Sequence, residues 1–169
     1  MKAQLRLLVA LVVVAVGVSL LSYTATSSDN DKAQVMALYH RQIAAYDKGD
    51  VDAVMACYSD DSDAIFFEDT IPFQLNKASL RKLNEMAYQS LSDFHAHGEP
   101  VDMLVSGNLA VVRSSIVNTW KDKSGRPHSQ TSRYTQVDRK EHGKWLVWHE
   151  HFSVPYDPAT GKAVLDVKS

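Results

Sequence analysis

One cysteine, Cys57, is present in 169 residues, so no disulfide staples the chain internally. It lies among apolar positions of a helical stretch, which suits a buried structural thiol better than a reactive one. The sequence also lacks a Gly-rich phosphate loop, a paired-cysteine motif and a nucleophile elbow, and no residue set asks for a cofactor. Net charge is small: 18 Lys and Arg against 20 Asp and Glu give a formal −2, with no clustered basic stretch. Phosphate neutralisation needs such a stretch, so nucleic acid is not the expected partner. Low-complexity runs are missing too, and 45% hydrophobic residues over this length suit about one domain with a real core.

What is there begins with an apolar run, Leu7 to Leu21, led by Lys2 and Arg6 and followed by polar residues from Ser22 onward. It is shorter than the ~20 residues of a spanning helix, and the layout is that of a secretory signal. The small-residue pairs Ser22/Thr24 and Thr24/Thr26 are weak cleavage signals, so an uncleaved N-terminal membrane anchor is the alternative. No cysteine ends the run, which argues against a lipoprotein. Residues 1–28 are therefore read as signal peptide or anchor, and the domain is expected to be periplasmic, secreted, or anchored facing outward. The folded domain is expected over 31–155 and a C-terminal tail over 156–169. In the tail, Asp157 to Gly161 reads as a turn, and Ala163 to Val167 as an added strand or a contact with a neighbour.

Periodicity divides the domain in two. Met36, Tyr39, Ile43 and Tyr46 recur at helical spacing. Lys48-Gly49-Asp50 then ends one helix and caps the next, which carries Val51, Val54, Met55 and Tyr58. After a strand-like run, Ala64 to Phe67, Asn76 can cap a third helix with Leu80, Leu83, Ala87, Leu91 and Phe94 on one face. Four β-rich runs follow: Val101 to Val105, Leu109 to Trp120, His128 to Arg139 and Trp145 to Val154, separated by Gly107-Asn108, Lys123 to Pro127 and His142-Gly143. The expected fold is α+β: three helices on a strongly curved antiparallel sheet, a cystatin-like cone with an internal pocket.

Asp47 to Val54, Tyr58 to Asp61, Glu68-Asp69 and Gly143 to Ser153 resemble the nuclear transport factor 2-like superfamily. That superfamily includes the ketosteroid isomerases, the SnoaL-like polyketide cyclases and the association domain of calmodulin-dependent kinase. The resemblance implies a homodimer formed through the outer face of the sheet. It places Asp69 at the position of the isomerases' general base, and Tyr58 at a tyrosine of their hydrogen-bond network. A carboxylate in an apolar cavity is pushed by desolvation toward neutrality, where it can take and return a proton. The family's oxyanion-hole positions carry Gln42 and Thr135 here, with Tyr39 one turn before Gln42 as a substitute donor. Losing one such donor typically costs ~10²- to 10³-fold in rate, so efficient steroid isomerisation is not expected.

Two-residue turns at Gly107-Asn108 and His142-Gly143 would set Met103 against Val112 and Val137 against Trp148. A near-symmetric middle loop would set Val112 beside Val137. One face then holds Ala110, Ile116, Trp148 and Phe152, together with Ser114, Arg133, Thr135 and Glu150. Charges on an inner face are costly unless paired, so Arg133 and Glu150 form either a structural salt bridge or a ligand-facing pair. A single bulge would swap faces. The kinase domain's cavity arginine falls on Arg113, which therefore stays a candidate. His149 and His151 share a face without a carboxylate nearby, which favours interface or hydrogen-bonded histidines over a metal site. Asp69, Glu150 and Tyr58 are thus the catalytic candidates, and Arg133, Arg113, Trp148, Phe152, Tyr39 and Thr135 the ligand-binding ones. Two functions follow: a pocket binding a small apolar or amphipathic molecule, or serving as a dimerisation module; and a cofactor-free isomerase, cyclase or hydrolase with Asp69 or Glu150 as base.

Overall fold

The computed structural model describes residues 29–165. The segment read as signal or anchor, and the last four residues of the tail, lie outside the described residues. Helix α1 covers 29–47 and buries Val35, Leu38, Tyr39, Gln42 and Ala45 along one stripe. Gly49 takes φ +65° and Asp50 accepts a hydrogen bond from the Ala53 amide at 3.0 Å, so the turn stops α1 and starts α2 (Val51–Met55) as its residues dictate. Strand β1 (Ile65–Phe67) precedes α3 (Lys77–Ser90), whose N-cap Asn76 accepts from the Ser79 amide at 2.9 Å.

Strands β2 (Ser92–Ser106), β3 (Leu109–Lys121), β4 (Pro127–Glu141) and β5 (Lys144–Ser153) form an antiparallel meander, and the sheet order is β1-β5-β4-β3-β2. Against the expectation of a purely antiparallel sheet, β1 runs parallel to β5. Parallel neighbours need a long crossover, and α3 with the whole meander supplies it. The helices cover one face of the sheet, around Leu38, Phe66, Leu80, Val112 and Val147. Beyond it, β6 (Tyr156–Asp157) and β7 (Lys162–Ala163) close a small hairpin, and the Leu165 carbonyl accepts from the Thr131 amide at 2.9 Å. The tail thus docks on β4.

Register decides which side chains enter the cone. The first turn behaves as expected, with Met103 opposite Val112. The middle loop does not: Val112 pairs with Gln136 rather than Val137. The cause is an odd-length turn anchored by Asp122. Its carboxylate accepts from the Ser124 and Arg126 amides, and Gly125 takes φ +79°. A slip of one residue exchanges the faces of a whole strand. Ser132, Tyr134, Gln136 and Asp138 therefore point inward, and Arg133, Thr135 and Val137 outward. On β5 a bulge at Trp148 then re-phases the side chains: Asp138 pairs with Val147, but Val137 pairs with His149. Glu150 and Phe152 consequently enter the cone opposite Gln136 and Tyr134.

Candidate functional site

A cavity of about 230 Å³ lies between α1, α3 and the inner face of the sheet. Its walls are mostly apolar, with Ile43, Leu83, Ala87 and Ile116 among them, and its mouth is marked by Asp69, Asn118, Trp120 and Gln130. The alternation of β1 explains the acid at its side. Phe66 is fully buried, whereas Phe67 turns outward and packs edge-on against His149 and His151. The next residue, Glu68, points in again and lines the cavity.

Behind Glu68 lies Glu150, with no exposed surface. The Tyr58 hydroxyl is 2.7 Å from its Oε2 and 2.9 Å from Oε1, the Tyr134 hydroxyl is 2.9 Å from Oε2, and Gln42 Nε2 donates at 3.3 Å. Tyr46 joins through Tyr58 at 2.9 Å. Burial pushes Glu150 up to about 7, against the pull of these donors. Glu68 shares a hydrogen bond with Glu150, and burial together with the Glu150 charge holds it well above the usual carboxylate range. Two carboxyls in one desolvated site cannot both ionise cheaply, so near neutrality the pair keeps one proton between them. Tyr46, Tyr58 and Tyr134 are raised by the same burial and by the Glu150 charge, and stay as donors.

The hydrogen bonds continue away from the cavity. Tyr134 lies 2.6 Å from Gln136 Oε1, and Gln136 Nε2 donates to Asp138 Oδ1 at 2.5 Å. Asp138 is fully buried, its Oδ2 meets no donor, and burial pushes it up to about 8.

A SnoaL-like domain model matches residues 35–157, spanning α1 to β6. The chain belongs to the SnoaL-like family. No curated protein matches it. Among solved structures, a nuclear transport factor 2-like protein of unknown function from Pseudomonas putida KT2440 is 25% identical over 83% of this chain and 98% of its own, with a TM-score of 0.70. A superfamily member from Salmonella enterica is 18% identical over 80% and 98%, at 0.70. A ketosteroid isomerase-like protein from Erwinia carotovora is 22% identical over 72% and 93%, at 0.64. The last two likenesses show the fold alone.

Within this SnoaL-like cone the residues expected at the site part company. Asp69 stands at the mouth, where its Oδ2 accepts from Gln130 Nε2 at 2.5 Å and Ser132 Oγ at 2.8 Å. Tyr58 is buried behind Glu150 rather than on the cavity wall. Tyr39 is also buried, 2.5 Å from Ser114 Oγ and off the wall. Phe152 lines the cavity. Trp148 does not: it sits at the bulge with the Arg139 guanidinium 5.0 Å from its ring centroid. Arg133 and Thr135 lie on the outer face because of the β4 slip, so no Arg133–Glu150 salt bridge exists. Arg113 is also outside, paired with Asp102. Neither arginine therefore reaches the cavity wall. Sequence reasoning missed Glu68, Gln136 and Asp138. The in-out alternation from Phe66 would have found the first, but only the turn parity reveals the other two. Among the described residues no group of three or more His, Cys, Asp or Glu is placed to hold a metal.

Proposed function

We propose that this SnoaL-like domain is exported and binds one compact, largely apolar molecule in its cone. The observation that supports this reading is the cavity between α1, α3 and the sheet, apolar along its walls and edged by acids and amides at its mouth. Its 230 Å³ falls below the ~300–1,000 Å³ usual for drug-sized ligands, which argues for a small occupant. Native mass spectrometry of the protein recovered from its host tests the reading. A co-purifying small molecule is expected. Protein that carries none, and that shows no shift in a screen of small aromatic and aliphatic compounds, would remove it.

A second reading, cofactor-free acid/base catalysis, is favoured by the Glu68–Glu150 pair, because one member reaches the cavity while the other holds charge among three donors. On this reading the base is the pair rather than Asp69. Glu150→Gln then abolishes any turnover while Asp69→Asn retains most of it; the reverse pattern would return the role to Asp69.

A homodimer through the outer sheet face completes the proposal. Leu104 and Leu109, on either side of the β2–β3 turn, are exposed there at 63% and 42% and would be covered by a second copy. Sedimentation should report two subunits, and Leu104→Glu should give one.

A further inference from the structure

The charged and ionisable side chains lining the cavity, among the described residues, are Glu68, Asp69 and three tyrosines, with no lysine, arginine or histidine. Six different elements each contribute one aromatic ring to its lining: Tyr46 from α1, Tyr88 from α3, Phe94 from β2, Trp120 from β3, Tyr134 from β4 and Phe152 from β5. Aromatic faces carry negative charge density and attract cations, most strongly where water is excluded. Carboxyls inside the same enclosure add to that attraction and repel anions. A neutral hydrocarbon would use the rings but offer nothing to the carboxyls of Glu68 and Asp69 in the same lining.

Resting on the cavity-binding reading above, we propose that the occupant is a compact organic cation of the tertiary or quaternary ammonium type. Its charge lies beside Glu68 and Asp69, and its carbon groups lie against the rings. The ligand exchanges with a proton. The carboxyls of Glu150 and Asp69 act on Glu68 directly, Tyr46 on α1, Tyr88 on α3 and Tyr134 on β4 share its cavity lining, and Tyr58 after α2 lies behind Glu150. The nearby Lys77 instead spends its charge on the Tyr58 carbonyl and Asp60, each at 2.7 Å. No resident cation therefore balances the acid pair, and the proton held between Glu68 and Glu150 does that work. An ammonium beside Glu68 replaces it, and the proton leaves to the buffer.

Calorimetric titration of the purified protein with phenyltrimethylammonium, its uncharged carbon isostere tert-butylbenzene, and benzoate, at pH 6 and 8, tests this. Phenyltrimethylammonium is expected to bind at least tenfold tighter than tert-butylbenzene at pH 8 and more weakly at pH 6. Its heat should change with the buffer's ionisation enthalpy, as proton release requires. Benzoate should not bind. Glu68→Gln should lose tenfold for the cation and leave tert-butylbenzene unchanged. Should that variant fail to fold, Asp69→Asn at the mouth and the proton release of the unaltered protein carry the test. Tert-butylbenzene binding as tightly as the cation, benzoate binding, or cation binding without proton release would overturn the cation assignment and leave the cavity reading standing. Binding of none of the three would sink both.

Discussion

The Tyr58 hydroxyl sits within hydrogen-bond reach of both oxygens of Glu150, at 2.7 and 2.9 Å, so one donor supports the whole carboxylate. Hydrogen bonds to a charged group are worth about 1.5–3 kcal/mol, against about 1 for neutral partners. Tyr58→Phe should therefore destabilise the fold by roughly 2 kcal/mol at pH 8, where Glu150 is charged, and by roughly half that at pH 5. Urea melts at the two pH values measure the difference. An equal loss at both would mean that Glu150 keeps one charge state throughout.

Stability should fall as the medium becomes alkaline. Glu150 and Asp138 titrate near 7 and 8 in the folded chain, above their ordinary values of 4.5 and 3.8. The folded state thus holds extra protons in between: this stabilisation is full below the ordinary values and is lost as pH rises through the folded ones. Each pH unit between the ordinary and folded values corresponds to about 1.4 kcal/mol, so the loss is large enough to read in a melting curve. The melting temperature is expected to drop between pH 5 and pH 8. Asp138→Asn, which keeps the shape and removes the charge, should flatten the drop; an unchanged slope would clear Asp138.

Gly98 allows α1 to approach β2. A Cβ there would stand 2.8 Å from the Tyr39 hydroxyl and 2.9 Å from Ile116 Cγ1, closer than atoms tolerate. Overpacking of this kind costs about 1–3 kcal/mol. Gly98→Ala should lower stability by that amount, and Tyr39→Phe in the same chain should recover part of it. No recovery would place the strain at Ile116.

Arg133→Ala and Arg113→Ala should leave cavity binding within twofold, because both side chains are on the far side of the sheet. A tenfold loss in either would contradict the β4 register.

Much of the fold was legible, because helix caps and turns are local. Asp50, Gly49 and Asn76 act where the sequence puts them, and the Gly107-Asn108 turn sets the β2–β3 pairing. The site was only partly legible, because facing depends on parity accumulated along the meander. Treating the Asp122 turn as even sent Arg133 and Thr135 inward, and the missed bulge at Trp148 made a second slip. For Glu150 and Phe152 the two slips cancel, so their inward placement was right for an incomplete reason. Glu68 was passed over because the resemblance pointed to its neighbour, Asp69.

Parity also limits what changes of length this chain can absorb. Were the bulge at Trp148 drawn into the regular ladder, Glu150 and Phe152 would turn out into solvent and His149 and His151 would enter the cone, without a single side chain altered. Insertions at the Lys123 to Gly125 tip should be harmless only in pairs. In descendants of this sequence, gains and losses of single residues should therefore collect at the tail and before α3, and spare the Asp122 turn.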